Sequence, residues 1–326
     1  MSEQARVGFV GAGGMASAHL KQLETVQSAE VVAICDLQEE MAKEAAEPLG
    51  AKVYTDYQAM LDSQNLDAAY VVVPPFAHGE IEREVIRRGL AIFVEKPVAL
   101  SMGLANEISS LIAEKGLISG VGYQLRFLPS VQRARAFLQD RSLAMMVGRY
   151  WSSMISEGWW PLMDKSGGQV VEQATHIVDL MRYLGGEVVE VAARTGRLTG
   201  AGGSHVDVPD TCIAHLTFES GAFGSLTTAC MSGDWQLGID MLVSGDDEED
   251  GCRLAWTFDN LEAAPDEVEL PEADGSAPTN IDEVFIESVQ TGQQAPVICS
   301  YEDAVKTLGV TLAVNESAAS GNPVQL

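Results

Sequence analysis

The chain has 326 residues, 46% of them hydrophobic, with 47 acidic residues against 20 basic ones and a formal net charge of −27. At about 100–200 residues per domain, that length predicts two domains. The charge argues against nucleic acid and anionic membranes as partners, because phosphate binding needs clustered Lys and Arg. No apolar stretch approaches the roughly 18 residues of a membrane span.

The opening residues MSEQARVGFVGAGG lack a basic region followed by an apolar run and a cleavage site, so the expected compartment is the cytoplasm. Cys35, Cys212, Cys230, Cys252 and Cys299 are scattered without a CxxC pair, the pattern of buried thiols in a reducing compartment. The acidic excess is densest at Asp246 to Asp250, and Arg outnumbers Lys by 13 to 7. A solvated surface accounts for this; adaptation to salt is the sharper alternative.

In chain order, strand-like apolar runs occur at Arg6–Val10, Glu30–Cys35, Ala51–Thr55, Asp67–Val73, Ala91–Val94 and Ile118–Gly122. Continuous apolar runs are what strands buried on both faces look like. Helical patterns separate them. Leu104, Ile108, Leu111 and Ile112 share one face, with Ser101 as N-cap and Gly116 as stop. Such alternation predicts a doubly wound parallel sheet over residues 1–122.

From residue 123 to 326 the rhythm changes. A helix is expected at Pro129–Leu138, a strand at Ala144–Trp151 and a long helix at Gln169–Leu184. Strands follow at Glu187–Ala193, Thr211–Phe218, Gly224–Met231, Gln236–Val243 and Arg253–Phe258, then helices at Ile281–Thr291 and Tyr301–Ser317. Ala201–Ser204 and Pro265–Pro278 read as loops. This order predicts an α+β domain on an open, mostly antiparallel sheet.

Gly11-Ala12-Gly13-Gly14-Met15-Ala16 follows the first strand and opens the first helix. In this G-x-G-x-x-A pattern Gly11 permits a tight turn and Gly13 leaves room for a pyrophosphate. Ala16 allows close helix–strand packing, and the helix N–H groups face the phosphates. Asp36 ends the second strand 20 residues after Ala16, where a carboxylate accepts hydrogen bonds from ribose hydroxyls. Asp36 also repels a 2′-phosphate, and Leu37 and Gln38 offer no Arg to hold one. The expected cofactor is therefore NAD rather than NADP; a helix N-cap is a compatible second role for Asp36. Pro74, Pro75 and His78 follow the fourth strand and line the cofactor rim, or, for His78, start a helix.

Glu95-Lys96-Pro97 closes the fifth strand. Ligands of doubly wound sheets bind beyond the carboxyl ends of the strands, where Lys96 stabilises a developing negative charge on a reacting oxygen. The alternative is a surface lysine paired with Glu95. Glu172 and His176, four residues apart after Gly167-Gly168, share a helix face opposite Val170, Ala174, Ile177 and Met181. A His of ordinary pKa, about 6.5, suits transfer of a hydroxyl proton; a helix-surface ion pair is the plainer reading. Asp179 either orients this pair or is solvated. No metal site is expected, since no second ligand stands at metal spacing. His19 is read as packing behind the glycine turn, and His205 and His215 as structural or surface residues.

The ordered set of GAGGMA with Asp36, Glu95-Lys96-Pro97 and a glycine pair leading to His176 resembles the Gfo/Idh/MocA family of oxidoreductases. Gly122-Tyr123-Gln124-Leu125-Arg126-Phe127 also resembles the family's segment linking two domains. The resemblance implies a Rossmann domain followed by an α/β domain whose open sheet mediates homodimers or homotetramers. It implies Lys96 and His176 as catalytic residues. The usual helix pattern is similar to D-x-G-x-H; here Glu172 stands for Asp and Ala174 for Gly, which moves the substrate contact by about one C–C bond.

The expected activity is hydride transfer between the nicotinamide of NAD and a secondary hydroxyl of a sugar, inositol or related polyol. Lys96, His176 and Glu172 are its expected catalytic residues. Gly11, Gly13, Gly14, Met15, Ala16, Asp36, Pro74, Pro75, His78, Glu95 and Lys96 are expected to bind cofactor. Tyr123, Arg126, Trp159, Trp160 and Glu172 are expected to shape the substrate pocket, the tryptophans by stacking on a sugar or else by packing in a core or interface. Two other readings stand: an NAD-dependent glycosidase acting through transient oxidation, and a non-catalytic NAD-binding sensor.

Overall fold

The structure is a computed structural model that describes residues 4–244, 251–258, 260–265, 267–272, 274–275, 280–295 and 299–326. The acidic run at Asp246 to Asp250 lies outside the described residues, as does part of the loop expected at Pro265–Pro278. The chain divides into two compact units, residues 1–123 with 280–305, and residues 124–279 with 306–326. The sequence alone places the whole stretch after 122 in the second domain; the structure returns 280–305 to the first.

In the first unit β1 (Ala5–Val10), β2 (Ala29–Cys35), β3 (Lys52–Tyr54), β4 (Ala68–Val71), β5 (Ala91–Val94) and β6 (Ser119–Val121) form one sheet. Its order is β3-β2-β1-β4-β5-β6 and every pairing is parallel. The order reverses between β1 and β4, the place where such sheets open a crevice at their carboxyl ends. All residues of β4 and β5 are buried, as their unbroken apolar runs predict. Phe9, Tyr70 and Phe93 occupy one register row, with ring centroids 4.6 and 4.7 Å apart. Phe285, on helix Ile281–Thr291, packs edge-on against Phe93 and Tyr70. Ser101 accepts from the Leu104 N–H and Gly116 closes helix Met102–Lys115 in the left-handed region, the expected cap and stop.

The second unit holds β7 (Leu143–Ser153), β8 (Val188–Gly196), β9 (Thr211–Phe218), β10 (Phe223–Ala229), β11 (Met231–Ser244), β12 (Gly251–Thr257), β13 (Asn260–Ala264) and β14 (Val324–Gln325). Their order is β13-β12-β11-β7-β10-β9-β8-β14. Only β7 and β10 pair in parallel; the other neighbours are antiparallel. The short edge strands β13 and β14 carry too little apolar pattern to be predicted. Inward residues such as Met146, Tyr150, Leu216, Leu226, Met241 and Trp256 form a core with Ile177 and Met181 of helix Thr175–Gly185. The opposite face leaves Met145, Val147, Ile213, Phe223 and Leu242 exposed. No described helix is long and apolar enough to cross a membrane.

Candidate active site

In the first unit the site builds from the carboxyl edge of the sheet. Gly11 leaves β1 at φ 101°, and a Cβ there would lie 1.9 Å from the Val72 carbonyl oxygen, so only glycine fits the turn. Gly13 is the N-cap of helix Gly14–Leu23 and offers no side chain to its N–H groups. A Cβ at Gly13 or Gly14 would meet nothing within 4 Å. Free helix N–H groups facing open space suit an anion. Ala16 is fully buried behind the turn, whereas Met15 is 40% exposed.

Asp36 directly follows β2. Its Oδ2 accepts from the Ala12 N–H at 2.9 Å and its Oδ1 from the Gln38 N–H at 2.8 Å. The residue capping helix Glu39–Ala46 is Gln38, not Asp36. A cavity of about 510 Å³ runs past Gly11, Gly13, Asp36, Leu37, Gln38, Met41, Tyr57, Pro74 and Phe76. An open glycine turn, a carboxylate and an apolar-lined cavity along one sheet edge fit a dinucleotide: Gly13 and the helix N–H groups for pyrophosphate, Asp36 for ribose. Met41, Tyr57 and Phe76 escaped the sequence reading because no spacing rule marks them.

Three expected cofactor residues sit elsewhere. Pro75 is buried and outside that cavity. His78 is buried too; its Nδ1 lies 2.5 Å from Glu82 Oε1, and Glu82 in turn accepts from the Gly79 N–H at the start of helix Glu80–Arg87. His78 is thus the helix-start residue of the two readings. Glu95 is 3% exposed and turns inward: its Oε1 is 3.0 Å from His19 Nε2. His19 Nδ1 lies 2.8 Å from Asp282 Oδ1. Burial alone would lower the His19 pKa, but hydrogen bonds to Asp282 and Glu95, with their charges, outweigh it and raise it to about 10. Sequence reading missed this cluster, because Asp282 lies 263 positions from His19. Lys96, half-buried, is the second residue after β5; its backbone N–H donates to Glu95 Oε2 at 3.2 Å.

In the second unit the expected helix Gln169–Leu184 is broken. Gln169–Glu172 and Thr175–Gly185 are separate helices, with Gln173 and Ala174 between them. The Ala174 N–H reaches back to the Gln169 carbonyl, while the Ile177 N–H takes that of Ala174, so the four-residue spacing of Glu172 and His176 no longer means a shared helical face. Gly167 and Gly168, at φ 75° and 84°, form the turn leading in. The Asn315 side chain donates to the Gly167 carbonyl at 2.9 Å. Gln169 holds the segment by donating to Ser152 Oγ at 3.0 Å and to the Ala229 carbonyl at 2.8 Å. His176 and Glu172 are both half-buried.

Trp160 is 3% exposed and its indole N–H donates to Glu172 Oε2 at 2.7 Å. It packs with Val206, Val208 and Cys230, with Trp159 at the cluster's margin. Trp160 is therefore a core residue that holds Glu172. Burial, then the charge of Glu172, pushes the Tyr150 phenol above its usual range. Arg126, expected at the pocket, is 3% exposed and gives a two-pronged bond to Asp179 at 2.8 and 2.6 Å. Asp179 is 1% exposed and also accepts from Thr307, so it is not solvated. Tyr123, counted with the first unit, is 2% exposed and belongs to the interior. Among the described residues no three His, Cys, Asp or Glu are arranged to hold a metal ion.

Residues 5–123 match the family model described as oxidoreductase family, NAD-binding Rossmann fold, and residues 141–247 match that of the GFO/IDH/MocA C-terminal domain. The chain belongs to the Gfo/Idh/MocA oxidoreductase family. It is accordingly an NAD-dependent oxidoreductase. Within the family it is 27% identical to scyllo-inositol 2-dehydrogenase (NAD(+)) of Bacillus subtilis (strain 168), over 100% of this chain and 97% of that enzyme. It is likewise 27% identical to a D-apiose dehydrogenase of Paraburkholderia graminis, covering 98% of this chain and 88% of that one. The fold matches that of a levoglucosan dehydrogenase in complex with NADH, with a TM-score of 0.86, 20% identity and 99% of each chain covered.

Proposed function

We propose that this NAD-dependent dehydrogenase oxidises a secondary hydroxyl of a sugar, an inositol or a related polyol. Lys96 hydrogen-bonds the substrate oxygen and stabilises its developing negative charge. His176 accepts the hydroxyl proton, and Glu172, held by Trp160, receives a hydrogen bond from a neighbouring hydroxyl. When bound, the nicotinamide supplies the hydride acceptor. The observation that carries the reading is the sheet edge: Lys96 leaves β5 on the same carboxyl edge where β1 ends in the open glycine turn and β2 in Asp36. Relatives named as inositol and apiose dehydrogenases support the substrate class.

The test is absorbance at the NADH band across inositols, aldoses and glycosides, with His176→Ala beside the wild type. A fall in kcat of at least ~100-fold with NAD affinity unchanged supports the base assignment. Near-normal turnover rejects it. Sugar release from a glycoside without net NADH would instead mark a glycosidase. Tight NAD binding with no turnover of any candidate would mark a sensor.

The exposed sheet face supports a homodimer or homotetramer as the working form. Leu242, Met145 and Phe223 are register partners on β11, β7 and β10, so their side chains make one continuous apolar strip. Sedimentation at micromolar protein reads this directly; a monomer would refute it.

A further inference from the structure

We propose that His19 is a positioning residue for Lys96: its side chain, spanning Asp282 and Glu95, fixes the carboxylate on which the Lys96 backbone N–H rests. The inference rests on the reading of Lys96 as the group that contacts the substrate oxygen.

Glu95 divides its two oxygens between two partners. Oε1 meets His19 Nε2 at 3.0 Å and Oε2 accepts from the Lys96 N–H at 3.2 Å. With both oxygens engaged, the plane of the carboxylate is set. A Cβ on Gly122 would lie 2.0 Å from Glu95 Oε1, so the carboxylate is pressed against backbone on that side. The imidazole is held as firmly. Its far nitrogen meets Asp282 at 2.8 Å, and Phe93 packs on it at 5.0 Å and 69°. Among the described residues, the titratable groups that face His19 are Asp282, Glu95 and Tyr70. With two acids and one cation in the interior, the imidazolium offsets charge that would otherwise stay buried and unpaired.

This link joins two parts of the proposed site. His19 rides on helix Gly14–Leu23, which begins at the glycine turn, and Glu95 is the first residue after β5. One side chain therefore ties the dinucleotide turn to the backbone that carries Lys96. Loosening it moves the ammonium without removing it, and a displacement of about 1 Å can cost up to ~100-fold in rate.

The test compares His19→Gln, Glu95→Gln and Lys96→Met with the wild type. Hydrogen exchange at the Lys96 amide, followed by mass spectrometry on the protein without cofactor or substrate, reads the clamp itself. Turnover uses the best substrate of the polyol panel. The expected results for His19→Gln are at least tenfold faster exchange at Lys96 and a kcat about tenfold lower. Substrate KM and NAD affinity should stay within about twofold, and adding His19→Gln to Lys96→Met should cost nothing further. Unchanged exchange at Lys96 would overturn the proposal. So would a His19→Gln loss that multiplies in full onto Lys96→Met. Wild-type turnover by Lys96→Met would overturn the reading of Lys96 instead, while the exchange result still decides the clamp. Should His19→Gln fail to fold, Glu95→Gln keeps the side-chain size and carries the same readouts.

Discussion

Asp36 Oδ2 accepts the Ala12 N–H at 2.9 Å, which ties the end of β2 to the glycine turn after β1. The carboxylate thus has a structural partner before any ribose arrives. Each of its oxygens has two lone pairs, so both retain room for a hydroxyl donor. Asp36→Ala should raise the dissociation constant for NAD at least ~10-fold, the scale of a hydrogen bond to a charged group. NADP should be affected far less, and the melting temperature should fall because the turn loses an anchor. Titration with both dinucleotides checks this; equal losses would contradict the ribose role.

Trp160→Phe keeps an apolar ring in the cluster with Val206 and Val208 but deletes the N–H that holds Glu172. Losing one such bond to a half-exposed carboxylate costs about 1 kcal/mol. Polyol KM should rise about fivefold with kcat little changed, because the chain's proposed proton acceptor, His176, is untouched. A fall in kcat with constant KM would argue that Glu172 acts in the chemical step.

Arg126→Met should behave as a folding mutation. It strands Asp179 as a buried carboxylate missing its main cation, and breaking such a pair costs about 3–5 kcal/mol. Urea unfolding should show the loss, and Arg126→Met/Asp179→Leu should recover much of it. A stable Arg126→Met protein with a raised substrate KM would restore Arg126 to the substrate pocket.

The folded-state pKa of His19, about 10, lies above its ordinary value of 6.5. A raised pKa means that folding takes up a proton, so the contribution is complete below pH 6.5 and is lost as pH rises through 10. The melting-temperature advantage of the wild type over His19→Gln should therefore be largest near pH 6 and fade by about pH 10. An advantage that grows with pH would show His19 to be neutral in the folded protein.

Much of this was legible along the chain. The apolar runs marked β1 to β6, Ser101 and Gly116 bounded their helix, and the spacing of Gly11, Gly13 and Ala16 marked the glycine turn after β1. Each of these depends on residues a few positions apart, so local conformational preference and burial period suffice to reveal it.

Partner choice was not legible. His78, Glu95, Arg126 and Trp160 all carry polar groups suited to a ligand, and the folded chain instead commits each to a neighbour: Glu82, His19, Asp179 and Glu172. The helix break at Gln173 was equally hidden, because the apolar period of Val170, Ala174 and Ile177 runs through it; Ser152, which bonds both Gln169 and Gln173, lies on β7. Sequence by itself determined most of the strands and helices and the glycine turn after β1. Tertiary structure decided which charges are buried together, because the cost of taking a charge out of water is met by partners that the fold selects, whether four residues away, as Glu82 is from His78, or 263 away, as Asp282 is from His19.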